Sequence, residues 1–259
     1  MPTTLDIETP SPGTVVLRFN RPKQLNAINE AMVRELTEAL RAIGADEAAR
    51  VVVLTGAGRG FCSGLDLRDF GPSAREATQS AMGRLRFQEM MAGLPQALRE
   101  LPQPVIVAVN GPAVGGGFAL CLGSDVRICA SSASFGNAAI LIGLSGAEMG
   151  MSYHLPRIVG TSVAADWMLT GRTVSAEEAY RCGLVSELVG DDQLLDRALE
   201  LAEQIAALSP LAVQMTKRAL QVNTDAPDLT AALDMENRNQ VIASGTEEAS
   251  AARAKWSSR

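Results

Sequence analysis

The stretch PVIVAVNGPAVGGGFAL, Pro104 to Leu120, decides the fold class of this chain. Its first part, Pro104–Val109, is apolar at every position, so a strand formed here has no polar face to turn toward water. Strands of that kind belong to sheets covered on both sides. Asn110 and the glycines that follow break the run, and Phe118–Leu122 reads as helix. Strand, glycine turn and helix in succession are the unit of an α/β domain.

Glycines 115, 116 and 117 stand just ahead of that helix. They leave backbone N–H groups uncovered, and the helix dipole adds partial positive charge there. Such a loop suits a carboxylate, a phosphate or a developing oxyanion. It equally suits close packing of strand on helix. The loop alone leaves both readings open.

Working outward, Thr14–Phe19 (TVVLRF), Val51–Leu54 (VVVL) and Val126–Cys129 (VRIC) are further strand signatures. Between the first two, Ile28, Met32, Leu36, Ala39, Leu40 and Ile43 recur at helical spacing. Ser73 to Leu101 reads as one long helical stretch, in which Met82, Met90 and Met91 serve core packing or an adaptable ligand pocket. Beyond Gly160 the pattern is mainly helical, over Ser175–Arg181, Asp191–Leu208, Pro210–Val222 and Leu229–Ala243. Ser175 with Glu178 forms a capping box, and Ser209 precedes a proline at the first helical position. An α/β core over residues 1–195 and a helical C-terminal region over 196–259 are therefore expected.

Composition narrows the function. At 259 residues, 47% apolar and 20% charged, the chain is long enough to bury a full core without staples. A net charge of −6 argues against general binding of nucleic acid, which needs a basic face. His154 is the one histidine, so no multi-histidine metal site is expected. The cysteines at 62, 121, 129 and 182 show no CxxC pair and read as reduced, mostly buried thiols. Apolar runs fall far short of the ~20 residues that span a bilayer. Met1–Pro12 carries Asp6 and Glu8 and no apolar leader core, so a cytoplasmic protein is expected. The glycines of TGAGRG, Thr55–Gly60, are spaced one residue too closely for a dinucleotide fingerprint, and no phosphate-binding GxxxxGK[ST] occurs.

The segments NRPKQLNAIN (Asn20–Asn29), GRGFCSGLDL (Gly58–Leu67), PVIVAVNGPAVGGGFAL, SDVRICASSASFG (Ser124–Gly136) and TGRTVSAEEAYRCGLV (Thr170–Val185) resemble the enoyl-CoA hydratase/isomerase, or crotonase, superfamily. The likeness runs over nearly the whole chain. It implies a spiral of ββα units with a C-terminal helical trimerisation region, assembled as a homotrimer or hexamer. It implies an acyl-CoA thioester as ligand, with no metal or separate cofactor. By motif position, the amides of Leu65 and Gly116 would polarise the thioester carbonyl. The CoA moiety would lie along Ser63, Asp66 and Leu67 and near Lys23 and Leu25, with Arg68 toward its phosphates. Asp66 and Asp125 also read as supports of a turn and of a helix-to-strand junction.

The sequence departs from the family where the chemistry is done. The two positions at which hydratases of this superfamily carry glutamates hold Ala119 and Ala139. A methyl group transfers no proton, so the two-glutamate hydration mechanism is closed to this chain. Glu148 stands where dienoyl-CoA isomerases and 4-chlorobenzoyl-CoA dehalogenases carry a working aspartate. It is the first candidate for an acid, base or nucleophile. Ser145-Gly-Ala-Glu148 also reads as a capping box, in which case a helix N-terminus would lower the pKa of Glu148. His154, six residues further along that helix, would face away from Glu148. Cys62 has no adjacent base and is not expected to be a nucleophile. The end of the chain, Glu247–Arg259, lacks the aromatic of the family's C-terminal CoA contact and keeps Arg253 and Lys255 there. Two readings result. The first is an enzyme acting on an enoyl-CoA or related thioester. The second is an acyl-CoA binding protein that has kept the cradle and lost the chemistry.

Overall fold

The structure, a computed structural model, describes residues 4–77 and 79–257. Strand β1 (Leu5–Ser11) pairs antiparallel with β2 (Thr14–Phe19). The chain then passes through helix α1 (Glu30–Ala45), capped by the Asn29 side chain on the Met32 N–H, into β3 (Val51–Gly56). β2 and β3 run parallel, with Val16 opposite Val53.

The helical stretch expected over Ser73–Leu101 is two helices. These are α2 (Pro72–Ala77) and α3 (Ala81–Glu100), and Thr78 between them lies outside the described residues. The new start has a local cause: Ser80 is extended and its side chain accepts the Gly83 N–H at 2.9 Å, an N-cap.

The decisive stretch forms β4 (Val105–Val109), β5 (Pro112–Val114) and α4 (Gly116–Leu122). Gly116 and Gly117 thus belong to the first turn of α4, and only Gly115 precedes it. Next come β6 (Val126–Ala130), β7 (Ser134–Gly136), α5 (Met151–Val159), α6 (Thr161–Thr170), β8 (Val174–Ser175), α7 (Ala176–Arg181) and β9 (Glu187–Val189). The main sheet has the order β1-β2-β3-β4-β6-β9, parallel from β2 onward. A smaller sheet has the order β5-β7-β8. Isolated bridges Ile28–Leu65 and Cys62–Ala113 extend the same pattern backward. Successive turns of the chain therefore lay one strand in the large sheet and one short segment beside the small one. That is a ββα spiral.

Every residue of β3 and β4 is buried, as their apolar runs require, and the polar Thr55 donates its hydroxyl to the Ala108 carbonyl at 2.9 Å. One face of the main sheet packs on α1, α3 and α4, with Leu17, Leu54 and Val107 in that core. The other face, with Val16, Val53, Ile106 and Ile128, is covered by Leu194, Ala198 and Ala202 of α8 (Leu194–Ala206). The expected division at residues 195/196 falls in the first turn of this sheet-covering helix. After it come α9 (Pro210–Asn223), α10 (Leu229–Ser244) and α11 (Glu247–Ser257). Among the described residues no helix is long and apolar enough to cross a membrane.

Candidate active site

Two asparagines, Asn26 buried and Asn110 half-buried, prepare the site. The Asn26 side chain donates to the Ala57 and Gly60 carbonyls at 3.0 and 2.8 Å and accepts the Arg21 N–H at 2.8 Å. Asn110 accepts the Gly56 N–H at 3.0 Å and donates to the Gly58 carbonyl at 2.9 Å. Together they grip the Gly56–Gly60 loop from two sides. Leu25 and Asn26 adopt left-handed backbone, φ 49° and 55°, to make that grip.

Beyond this loop, Phe61 and Cys62 donate backbone N–H bonds to the Pro112 carbonyl, and Val114 returns one to Cys62 at 2.9 Å. The segment carrying Leu65 is thereby stitched to the strand that leads into Gly116. Gly64 sits between them at φ +88°. A Cβ there would lie 2.8 Å from the Val114 carbonyl oxygen and 3.3 Å from the Gly116 nitrogen. Its absence keeps the face of the Gly116 N–H open. Among the described residues, neither the Leu65 nor the Gly116 N–H donates to another backbone carbonyl.

Leu65 and Gly116 line one pocket, of about 130 Å³. Phe87, Gln88 and Met91 of α3 form a second wall, and Ala139, Ile142 and Leu144 a third. Of the methionines singled out in the sequence, Met91 reaches the pocket, Met90 packs on the core and Met82 is exposed. Ala139 contributes its methyl to the pocket, whereas Ala119 is fully buried in the core beneath it.

Glu148 supplies the carboxylate among these walls. Its Oε1 lies 4.0 Å from the place a Cβ on Gly115 would take, so it faces the glycine turn. The capping box expected around it does not form. The Ser145 hydroxyl accepts the Ala147 N–H at 3.1 Å, and α5 begins only at Met151. Met149 and Gly150, at φ 48° and 84°, hold left-handed backbone that helix cannot continue through. Glu148 is therefore on a loop ahead of α5, and its carboxylate faces Gly115 at the start of α4. Its pKa is raised, opposite to the expected direction, because burial penalises the charged form more than a hydrogen bond from Gln88 favours it.

The remaining sequence candidates divide. Ser63 and Leu67 line the pocket, and Ser63 donates its N–H to the Leu25 carbonyl at 3.0 Å. Lys23 and Arg68 are exposed nearby in chain terms. Asp66 is buried and committed: it pairs with Arg21 at 2.9 Å and accepts the Arg68 and Asp69 N–H groups at 3.2 and 3.0 Å. It braces the turn and offers little to a ligand. Burial pushes the Cys62 thiol up to about 12, which leaves it inert at neutral pH. His154 opens on a different cavity. Sequence reading missed Phe87, Gln88, Ile142 and Leu144, whose pattern gives no signal beyond ordinary helix and loop.

Fold and cleft define the class: an α/β spiral holding a small apolar pocket between two glycine turns, with one ionisable wall. The comparisons agree. The chain matches the enoyl-CoA hydratase/isomerase family over residues 10–255 and belongs to that family. It is 44% identical over 254 residues to a "probable enoyl-CoA hydratase" of Mycobacterium tuberculosis, covering 96% of this chain and 89% of the relative. It is 37% identical over 236 residues to the 1,2-epoxyphenylacetyl-CoA isomerase of Escherichia coli, covering 89% and 87%. A solved structure of a "probable enoyl-CoA hydratase/isomerase" from Mycobacterium abscessus superposes with a TM-score of 0.89 at 37% identity, covering 98% and 96%.

Proposed function

We propose that this chain is a double-bond isomerase of enoyl-CoA or closely related acyl-CoA thioesters, with Glu148 as its single proton-transfer group. The observation that carries this reading is the carboxylate itself. Glu148 faces the glycine turn, whereas positions 119 and 139 offer only methyl groups. Moving a double bond takes one proton from one carbon of an allylic system and returns it to another. A single carboxylate does both. The Leu65 and Gly116 amides would hold the thioester oxygen as it gains enolate charge, and preorganised donors favour that state over the ground state. The raised pKa of Glu148 brings its two protonation states closer to balance near neutrality, as a proton shuttle needs. The apolar walls would exclude water from the enolate.

Ser63, Leu67, Leu25, Lys23 and Arg68 would carry the CoA moiety along the rim. Exposed Leu229, Leu233, Val241, Ile242 and Trp256 of the C-terminal helices support assembly of copies into a trimer or hexamer.

The test is turnover of 2-enoyl- and 3-enoyl-CoA thioesters, followed by absorbance of the conjugated thioester and by product mass. Isomerisation with no gain of water, lost on Glu148→Gln, supports the reading. Water addition by the parent overturns the isomerase assignment. Turnover that survives Glu148→Gln removes Glu148 from the mechanism. Binding without turnover across acyl chains makes the chain a thioester-binding protein.

A further inference from the structure

A second cavity, of about 210 Å³, lies where α9 meets the core. Arg99 of α3, Arg127 of β6, and His154 and Arg157 of α5 line it. The charges around it do not balance. Asp125 is taken by Lys217 at 2.7 Å and by the Val105 N–H at 2.8 Å. Asp225 is taken by Arg157 at 3.0 Å and by the Tyr153 hydroxyl. Arg127 donates to the carbonyls of Leu184 and Ser124 at 2.8 and 2.9 Å, which are dipoles and carry no net charge. Among the described residues, neither Arg99 nor Arg127 forms an ion pair. Arg99, Arg127, Arg157 and Lys217 thus gather around Asp125 and Asp225, an excess of positive charge in a chain of net −6.

The neighbourhood responds accordingly. Burial, reinforced by Arg99, lowers the pKa of Arg127. Burial first, then repulsion from Arg99, Arg127 and Arg157, pushes His154 down to about 4. Asp125, which also lines the cavity, favours the charged form of Arg127 but makes no direct ion pair with it, being bonded to Lys217 and the Val105 N–H. A partly buried guanidinium without a paired carboxylate is held at an electrostatic penalty. Its planar donor fork matches oxyanion geometry.

We propose that this cavity binds a small tetrahedral oxyanion, inorganic or the terminal group of a phosphomonoester, through Arg99, Arg127 and Arg157. The volume accepts one such anion with a few waters, each of which takes ~30 Å³. The site is separate from the acyl pocket: Leu122 and Ser124 at the far end of α4 line it, whereas Gly116 at the near end lines the pocket. A bound anion joins α3, β6 and α5 through one arginine from each.

His154, the sole histidine, reports on the site directly. In tag-free protein its ring resonance is followed through an acid titration with sulfate, which stays a dianion there, against chloride at matched ionic strength. Sulfate is expected to raise the His154 pKa by about one unit or more, since an adjacent anion favours the charged ring. Inorganic phosphate and glycerol phosphate, at neutral pH, are expected to raise the melting temperature over the chloride control. A response to phosphate alone assigns the site to the free ion, and a response to both admits phosphomonoesters. Arg99→Gln abolishes the anion-dependent shifts and Arg99→Lys keeps part of them. The readout is the shift and not the starting value, because losing Arg99 itself raises His154. Equal behaviour in sulfate and chloride, or an undiminished shift in Arg99→Gln, overturns the proposal.

Discussion

Lys217 Nζ, on α9, lies 2.7 Å from Asp125 Oδ2 at the head of β6, with the lysine side chain only 6% exposed. It also donates to the Gln103 carbonyl at 2.9 Å. One ion pair thus pins the C-terminal helices to the edge of the sheet core. Removing the carboxylate leaves a buried ammonium with no counter-charge. Asp125→Asn is expected to lower unfolding free energy by about 3 kcal/mol in urea denaturation. Lys217→Met, which fills a similar volume without charge, should lose much less. An Asp125→Asn protein within ~0.5 kcal/mol of the parent would show that the pair fastens nothing.

The role proposed for Glu148 carries a stability signature. Its folded pKa lies above the ordinary value of 4.5. Above that value the unfolded chain ionises first, so the buried carboxylate opposes folding as pH rises, and most fully above its folded pKa. Glu148→Gln should therefore melt no lower than the parent at neutral pH while kcat falls by ~10²-fold or more. A marked loss of melting temperature would identify Glu148 as a structural residue.

Gln88 tunes that carboxylate, since its hydrogen bond is what opposes the upward shift. Replacing it with leucine should move the acid limb of kcat/KM to higher pH. Activity below neutrality then falls and the plateau above is retained. An unmoved limb would place Gln88 outside the acid–base machinery.

Gly64→Ala tests the glycine turn. At φ +88° the new Cβ lies against the Val114 carbonyl and beside the Gly116 nitrogen. If the Gly116 amide holds the thioester oxygen as proposed, moving it out of alignment costs ~10²-fold or more in kcat. That loss should appear in kcat with thioester binding, read as Kd, comparatively preserved.

His154 should stay neutral until about pH 4 in the anion-free protein. Between the ordinary histidine value of about 6.5 and that point, the unfolded chain binds the proton that the folded chain refuses. Stability from this group is therefore lost as pH falls through the window. Denaturation midpoints measured across it should decline, and His154→Gln should flatten part of the decline.

The parts of the fold legible in the sequence were the strands buried over most of their length. TVVLRF, VVVL, VIVAV and VRIC read as strands because they are short, β-branched and mostly apolar, and they form β2, β3, β4 and β6. Strand β1 gave no such signal: Leu5 is buried, but Glu8, Thr9 and Pro10 face water on an edge. Strands β5, β7 and β8 are too short to show a period. The glycine turn was legible because three glycines have few uses. The capping box at Ser145 misled because the motif records local spacing, whereas left-handed Met149 and Gly150 decide where helix α5 can start. The direction of the Glu148 shift was out of reach for a related reason, since it comes from burial among segments far apart along the chain. Lys217 looked like any polar helix residue because its partner is far away along the chain.

The left-handed pair at Met149 and Gly150 also bears on how such a chain diversifies. A reactive group borne on a helix is bound to that helix's rotation, so changing its reach disturbs everything downstream. Here the backbone turns a corner between Glu148 and α5, and that corner absorbs changes of length on its upstream side. With Glu148 as the working group proposed here, the loop of residues 143–148 would act as an interchangeable tool-holder. It can present a longer or shorter acid, or none, while the spiral and its amide cradle stay in place.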